Sequence, residues 1–317
     1  MPGSHLCLVE RVEIQSRLGR GESYRAIAAA LGRAASTIQR EVRRFRGEYG
    51  AVAAEEAAAV RRRRQRPSRL ARSPQLALLV RERLEAGWSP APIAAWLKTR
   101  GVGICAESIY RECYRPESAL GADAWRLLVR ARPSKRRRRR TRRSDRKPLG
   151  QFRSITQRPP LEGPGHWEGD LIVGAGNQSA AVVITERQSR YTMIGALQAQ
   201  TASHVAEVVT TLLNTIPPPI RKTLTWDQGR ELAHWPQIET ATGTLVFFCR
   251  PRSPWEKPLV ENTCGLLRRW LARRSNLYRP QHELNQIAHL LNTMPRRIHH
   301  WDTAHNRYHQ LRVATTS

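Results

Sequence analysis

Asp170, Asp227 and Glu261 are the side chains around which chemistry can be built: they come from three separate stretches of the chain, each with a tryptophan within six positions. Three carboxylates brought to one point repel one another unless positive charge sits between them, and a pair of Mg²⁺ ions meets that need. Two such ions roughly 3.5–4 Å apart can activate a water or a 3′-hydroxyl on one side of a phosphorus and steady the leaving oxygen on the other. No covalent protein nucleophile is then required. The stretch 254–274 shows how one of these acids would be presented. On a helix, Leu259, Val260, Leu266, Leu267, Trp270 and Leu271 gather on one apolar arc, while Glu261, Gly265 and Arg268 share the opposite face.

The elements that must position these acids follow from periodicity. Residues 166–174 (HWEGDLIVG), 180–185 (AAVVIT) and 191–197 (YTMIGAL) read as three antiparallel strands. A helix follows with Val205, Val208, Val209, Leu212 and Leu213 on one face, stopped by the prolines at 217–219. A strand at 220–226 leads into Asp227, then come a short helix at 234–240 and a buried strand at 244–249, before the Glu261 helix. The order β-β-β-α-β-α-β-α predicts a mixed sheet covered by helices, a ribonuclease-H-like layer. Asp170 then falls within the first strand and Asp227 at the end of the fourth.

Other acids compete for a role. Glu168 shares a strand face with Asp170 and is a conceivable ligand, whereas Glu231 and Glu239 read as surface or packing carboxylates, as does Glu168 on balance. His166 and His234 read as structural, and Trp167, Trp226 and Trp255 as core fillers, with stacking on an unpaired base as an additional use.

The amino-terminal half is written twice. Residues 18–31 (LGRGESYRAIAAAL) and 84–97 (LEAGWSPAPIAAWL) both fit L-x-x-G-x-S-x-x-x-I-A-A-x-L. In each, a helix ends at a glycine, a serine caps a short second helix and a turn leads to a third, the pattern of a helix-turn-helix. In the first copy the third helix is expected to open at Ser36, with Gln39 completing a capping box and Ile38 and Val42 turned inward. Ser36, Thr37, Gln39, Arg40, Arg43 and Arg44 then form the DNA-facing set, with polar groups for base edges ahead of charge for phosphates. The second copy has about five more residues before its third helix, which contains Ser108 to Arg111, so it reads either as another DNA binder or as a packing or dimerisation module.

Composition fits a polyanionic partner. Lys and Arg number 54 against 26 Asp and Glu, a formal charge of +28, and basic runs stand at 61–64 and 135–143. The chain contains no 18-residue apolar run, and its five scattered cysteines, read as small buried hydrophobes, show no zinc-finger spacing. A reduced, cytoplasmic, nucleoid-associated setting is expected. The expected divisions are a helix-turn-helix domain (1–46), a helical basic linker (47–70), a second helix-turn-helix-like domain (71–132), an Arg-rich linker (133–153) and the α/β domain (154–317).

The segments HWEGDLIVG, TWDQGREL, SPWEKPLVENTCGLLRRW and LNTMPRRIHHW resemble the catalytic blocks of the IS-thirty family of bacterial insertion-sequence transposases, and GESYRAIAAALGRAASTIQREVRR resembles that family's DNA reader. The 33 residues between Asp227 and Glu261 match the family spacing, while Lys257-Pro258 stands where Arg-Gly is usual. The resemblance implies that Asp170, Asp227 and Glu261 bind two Mg²⁺ ions, with Mn²⁺ able to substitute. It further implies that Asn262 and Arg268 touch DNA or steady the site, and that double-stranded terminal inverted repeats are cleaved and joined to target DNA. By analogy a homodimer or higher oligomer would act on DNA. The competing readings are a catalytically inactive DNA-binding regulator and a structure-directed nuclease of the same fold.

Overall fold

The computed structural model describes residues 5–45, 47–63, 67–128, 152–251 and 253–316, and the chain divides into two compact units, 1–68 and 69–317. The basic run 135–143, Arg64 and most of the expected 133–153 linker lie outside the described residues.

The first unit contains α1 (Leu8–Gly19), α2 (Tyr24–Ala30), α3 (Ala35–Val42) and α4 (Ala51–Arg63). Ile14, Ile27 and Ile38, one from each of the first three helices, are fully buried together with Ala54 of α4. The Ser23 hydroxyl caps α2 by accepting the Ala26 amide at 3.3 Å. The start of α3 differs from expectation. Gly32, at φ +60°, ends α2 in the left-handed conformation, and the chain becomes helical again at Ala35 with Ala34 as N-cap. Ser36 therefore lies inside the first turn and forms no capping box.

The second unit begins with α5 (Pro74–Glu85), α6 (Pro90–Lys98), α7 (Ala106–Cys113) and the short α8 (Ala124–Leu127). Val80, Leu84, Ile93, Leu97 and Ile109 form their core, which continues into Met294 and Trp270 from the carboxy-terminal part of the chain. Gly87 makes that continuity possible: it adopts φ +84°, and a Cβ there would stand 2.7 Å from the Trp270 ring. The Arg269 guanidinium also donates to the Gly87 carbonyl. Of the five cysteines, Cys7 and Cys105 are exposed at the N-caps of α1 and α7 rather than buried, because a cap residue sits outside the packed stripe of its helix.

The sheet consists of β1 (His166–Val173), β2 (Ala180–Glu186), β3 (Thr192–Ala196), β4 (Thr223–Trp226) and β5 (Leu245–Phe248), in the order β3-β2-β1-β4-β5. The first three strands are antiparallel, whereas β4 and β5 run parallel to β1. This is the ribonuclease-H-like mixed sheet expected from the sequence. Helices α9 (Ala202–Asn214) and α10 (Trp235–Thr242) pack with Trp167, Val182, Leu224 and Trp226 on one face. On the other, α11 (Pro258–Leu267) and α12 (Gln281–Asn292) cover Ile172, Val183 and Ile194. The last helix, α13 (Ala304–Thr316), places Tyr308 against Trp167 and Tyr191.

The helix bearing Glu261 is shorter than the apolar arc suggested. It stops at Leu267, and Leu271, beyond its end, is fully buried from a turn instead. Burial of a side chain constrains where it points, not whether its backbone is helical.

Candidate active site

The parallel register between β1 and β4 pairs His166 with Thr223, Trp167 with Leu224 and Glu168 with Thr225. The same offset carried two residues further sets Asp170 level with Asp227. Residues alternate across a strand, so Glu168 and Asp170 share the α11 side of the sheet. Gly169 faces the other way, where a Cβ would collide with the Trp226 ring. That glycine lets the Trp226 ring pack closely against β1 immediately before the chain delivers Asp227.

Between the two aspartates stands Lys257, the residue just before α11. Its Nζ is 3.2 Å from Asp170 Oδ1 and 3.6 Å from Asp227 Oδ2. Burial works against the Lys257 charge, and the two carboxylates more than offset it, so the ammonium is held above its ordinary pKa. Asp170 is pushed up by burial; the Lys257 charge opposes that shift and the Asp227 charge adds to it. Asp227 Oδ1 is buried without a hydrogen-bond partner among the described residues. Two hard oxygen donors flanking one positive charge, with an acceptor left over, fit a divalent cation.

Glu168 turned out to be central to this arrangement. Fully buried, its Oε2 accepts the amides of Leu259 at 2.9 Å and Val260 at 3.1 Å, while Oε1 pairs with Arg187. A carboxylate at a helix amino terminus satisfies free N–H groups and complements the helix dipole. Glu168 is thus a packing carboxylate, as its weighing against Asp170 suggested, but it fastens the strand of Asp170 to the helix of Glu261. The only sequence signal was its shared strand face with Asp170.

Glu261 itself is exposed in the first turn of α11. Among the described residues, no group of three His, Cys, Asp or Glu side chains is close enough to hold a metal ion. Asp170 and Asp227 are therefore brought together, and Glu261 stands apart on the adjoining helix. Cys264, one turn along, senses both sides: burial pushes its thiol up to about 12, assisted by the charges of Asp170 and Glu261.

The remaining candidates have distinct placements. Glu231 is half-buried; burial, and then the charges of Asp227 and Asp170, push its carboxyl up. Glu239 accepts the Val246 amide at 2.6 Å and pairs with Arg153, tying α10 to β5. His166 is buried between Thr223 Oγ1 at 2.9 Å and the Glu162 carbonyl at 3.3 Å, and His234 is exposed before α10. Trp167 and Trp226 are core, whereas Trp255 is 67% exposed. Asn262 is exposed; Arg268 Nη1 donates to the carbonyls of Val173 at 2.9 Å and Leu271 at 3.3 Å, clamping the end of β1.

In the first unit, α3 leaves Ser36, Thr37, Arg40, Arg43 and Arg44 exposed and Gln39 half-buried. Arg44 is paired with Glu41 at 3.2 Å. Glu41 is buried and bonded to Arg11 of α1 at 2.8 Å, an ion pair that periodicity alone does not reveal.

A helix-turn-helix domain family model matches residues 3–44, and an integrase core domain model matches 161–254, a span that ends before Glu261. With the sheet order above, these matches define a DNA-binding enzyme of the polynucleotidyl transferase type, a class that depends on divalent metal. The chain is 40% identical over 308 residues to the transposase for insertion sequence element IS1086 of Cupriavidus metallidurans, covering 92% of this chain and 90% of that one. It is 38% identical over 312 residues to transposase InsI for insertion sequence element IS30A of Escherichia coli K12, covering 93% and 80% respectively. The chain belongs to the IS30 family of insertion-sequence transposases, and its function is DNA transposition. Among the described residues no helix is long and apolar enough to cross a membrane.

Proposed function

We propose that Asp170, Asp227 and Glu261 form the metal-binding triad of this transposase, and that the protein cleaves the terminal inverted repeats of its element and joins them to target DNA. The carrying observation is the placement of Asp170 on β1 and Asp227 directly after the neighbouring parallel β4, around a single positive charge. Divalent ions there, Mg²⁺ or Mn²⁺, would supply Lewis acidity and an activated oxygen nucleophile. The two aspartates hold one edge of the site, and Glu261 completes it from α11 when its exposed carboxylate turns toward them. Glu168 fixes the axial position of α11, so that the turn requires side-chain rotation rather than helix movement. Arg268 holds the end of β1 in place, and exposed Asn262 faces the side from which DNA arrives. Helix α3 reads base edges with Thr37, Gln39 and Arg40, while Arg43 contributes positive charge for phosphates.

The test is strand cleavage and strand transfer on labelled DNA carrying the element's own ends. Mg²⁺-dependent products from the unmodified chain, absent with Asp227→Asn, are expected. If neither protein gives products while both bind the ends, the chain is a DNA-binding regulator.

A further inference from the structure

We propose that Lys257 is a resident counter-ion of the active site, which occupies the gap between Asp170 and Asp227 before metal arrives and must withdraw for a divalent cation to bind. The inference rests on the reading of these two aspartates as metal ligands, and it assigns Lys257 a positioning role.

The geometry supports displacement rather than cohabitation. The ammonium lies at 3.2 and 3.6 Å from one oxygen of each aspartate, within the gap between the two carboxylates. Only 8% of Lys257 is exposed, and its Nζ has no hydrogen-bond partner among the described residues beyond this ion pairing. A divalent ion in the same gap would face a full positive charge within a few ångströms in a partly buried setting, where screening by water is weak. Both cannot stay.

The way out is built into the chain. Lys257 is the non-helical residue preceding Pro258, with φ −132° and ψ 55°, and its flexible four-carbon stem would let the ammonium withdraw by side-chain torsions. Helix α11 does not have to move, because Glu168 holds its first turn through the amides of Leu259 and Val260, not through Lys257. The benefit in the metal-free protein is electrostatic. Without Lys257, Asp170 and Asp227 would face each other with no cation between them.

Two measurements on the full-length chain test this. Calorimetric titration with MgCl₂ should give Lys257→Gln at least fivefold tighter binding than the unmodified protein, with Lys257→Arg close to the unmodified value. In EDTA, Lys257→Gln should melt at a lower temperature, and MgCl₂ should restore most of the difference. Equal or weaker Mg²⁺ binding by Lys257→Gln would overturn the inference, leaving the metal-ligand reading intact. Should that variant not fold, reductive methylation of the unmodified chain read by mass spectrometry replaces it. MgCl₂ should then raise the reactivity of Lys257 severalfold relative to Lys222, an exposed lysine before β4, and unchanged reactivity would overturn the inference. Absence of Mg²⁺ binding by every protein, or binding indifferent to Asp227→Asn, would remove the metal-ligand reading and this inference with it.

Discussion

In the first helical repeat, Glu41 is buried against Arg11 at 2.8 Å, whereas in the second, Glu112 accepts the Ala119 amide at 2.8 Å and has Arg115 at 3.5 Å. The two glutamates are counterparts, since the third helices align as TIQREVRR (37–44) and SIYRECYR (108–115), with Ile38 and Ile109 both fully buried. Each repeat thus keeps a buried acid after its core isoleucine and satisfies it differently. The first uses a cation from α1, which also bonds Glu55 of α4 at 2.5 Å and closes a four-helix unit. The second uses its own loop, and packs its outer surface on Trp270 and Met294 from the carboxy-terminal part of the chain. The same local pattern has become a unit with its own complete core in one case and a docked module in the other.

Glu41→Ala should show the largest effect. It leaves Arg11, buried with only 4% side-chain exposure, without its principal partner, and a broken buried pair costs about 3–5 kcal/mol. All nine tryptophans lie at or beyond residue 88, so urea unfolding should shift in far-ultraviolet circular dichroism while tryptophan fluorescence keeps its midpoint. A fluorescence shift of the same size would mean that the two repeats are not energetically separate.

Counterpart glycines sharpen the contrast. Gly21 and Gly87 have φ of +77° and +84°, but a Cβ on Gly21 meets nothing within 4 Å, whereas on Gly87 it meets Trp270. Gly21→Ala should cost about 1 kcal/mol from backbone strain alone. Gly87→Ala should cost about 3 kcal/mol, adding overpacking to strain, and should shift the tryptophan emission. Equal costs would show that Trp270 yields freely and that the docking is loose.

A smaller effect is expected from acid. The Arg33 guanidinium holds the Glu10 carboxyl down at about 2, below its ordinary 4.5. A depressed carboxylate stabilises the fold above its unfolded pKa, and that contribution fades as pH falls from 4.5 toward 2. The first unit should therefore lose stability over this window, and Glu10→Gln should flatten the loss. The check is the dichroism midpoint in urea between pH 5 and pH 3.

The strands were legible because β-branched runs and turn residues mark them, except that β4 opens at Thr223 and not at Ile220, which the prolines draw into a 3-10 turn. His166–Val173 and Ala180–Glu186 fall within a residue of where the sequence places them. The repeat was legible for the same reason, since its glycines and apolar spacings are local. What escaped was decided by distant partners. Nothing near Glu168 in sequence says that it will cap a helix 91 residues away, nor does Lys257 announce two aspartates. The false capping box at Ser36 has the opposite origin: its local pattern was sound, but Gly32 had already fixed where α3 could begin. In the acid site, the sheet aligned Asp170 and Asp227 through register, which topology dictates. Glu261 stands apart from them, exposed on α11.

The fastening of α11 by Glu168 has a mechanical consequence. Two amides in the helix's first turn grip a carboxylate rooted in the fully covered interior of β1. A load applied to the outer surface of that helix is passed into β1, a strand hydrogen-bonded on both edges to β2 and β4, rather than absorbed by the loop before α11.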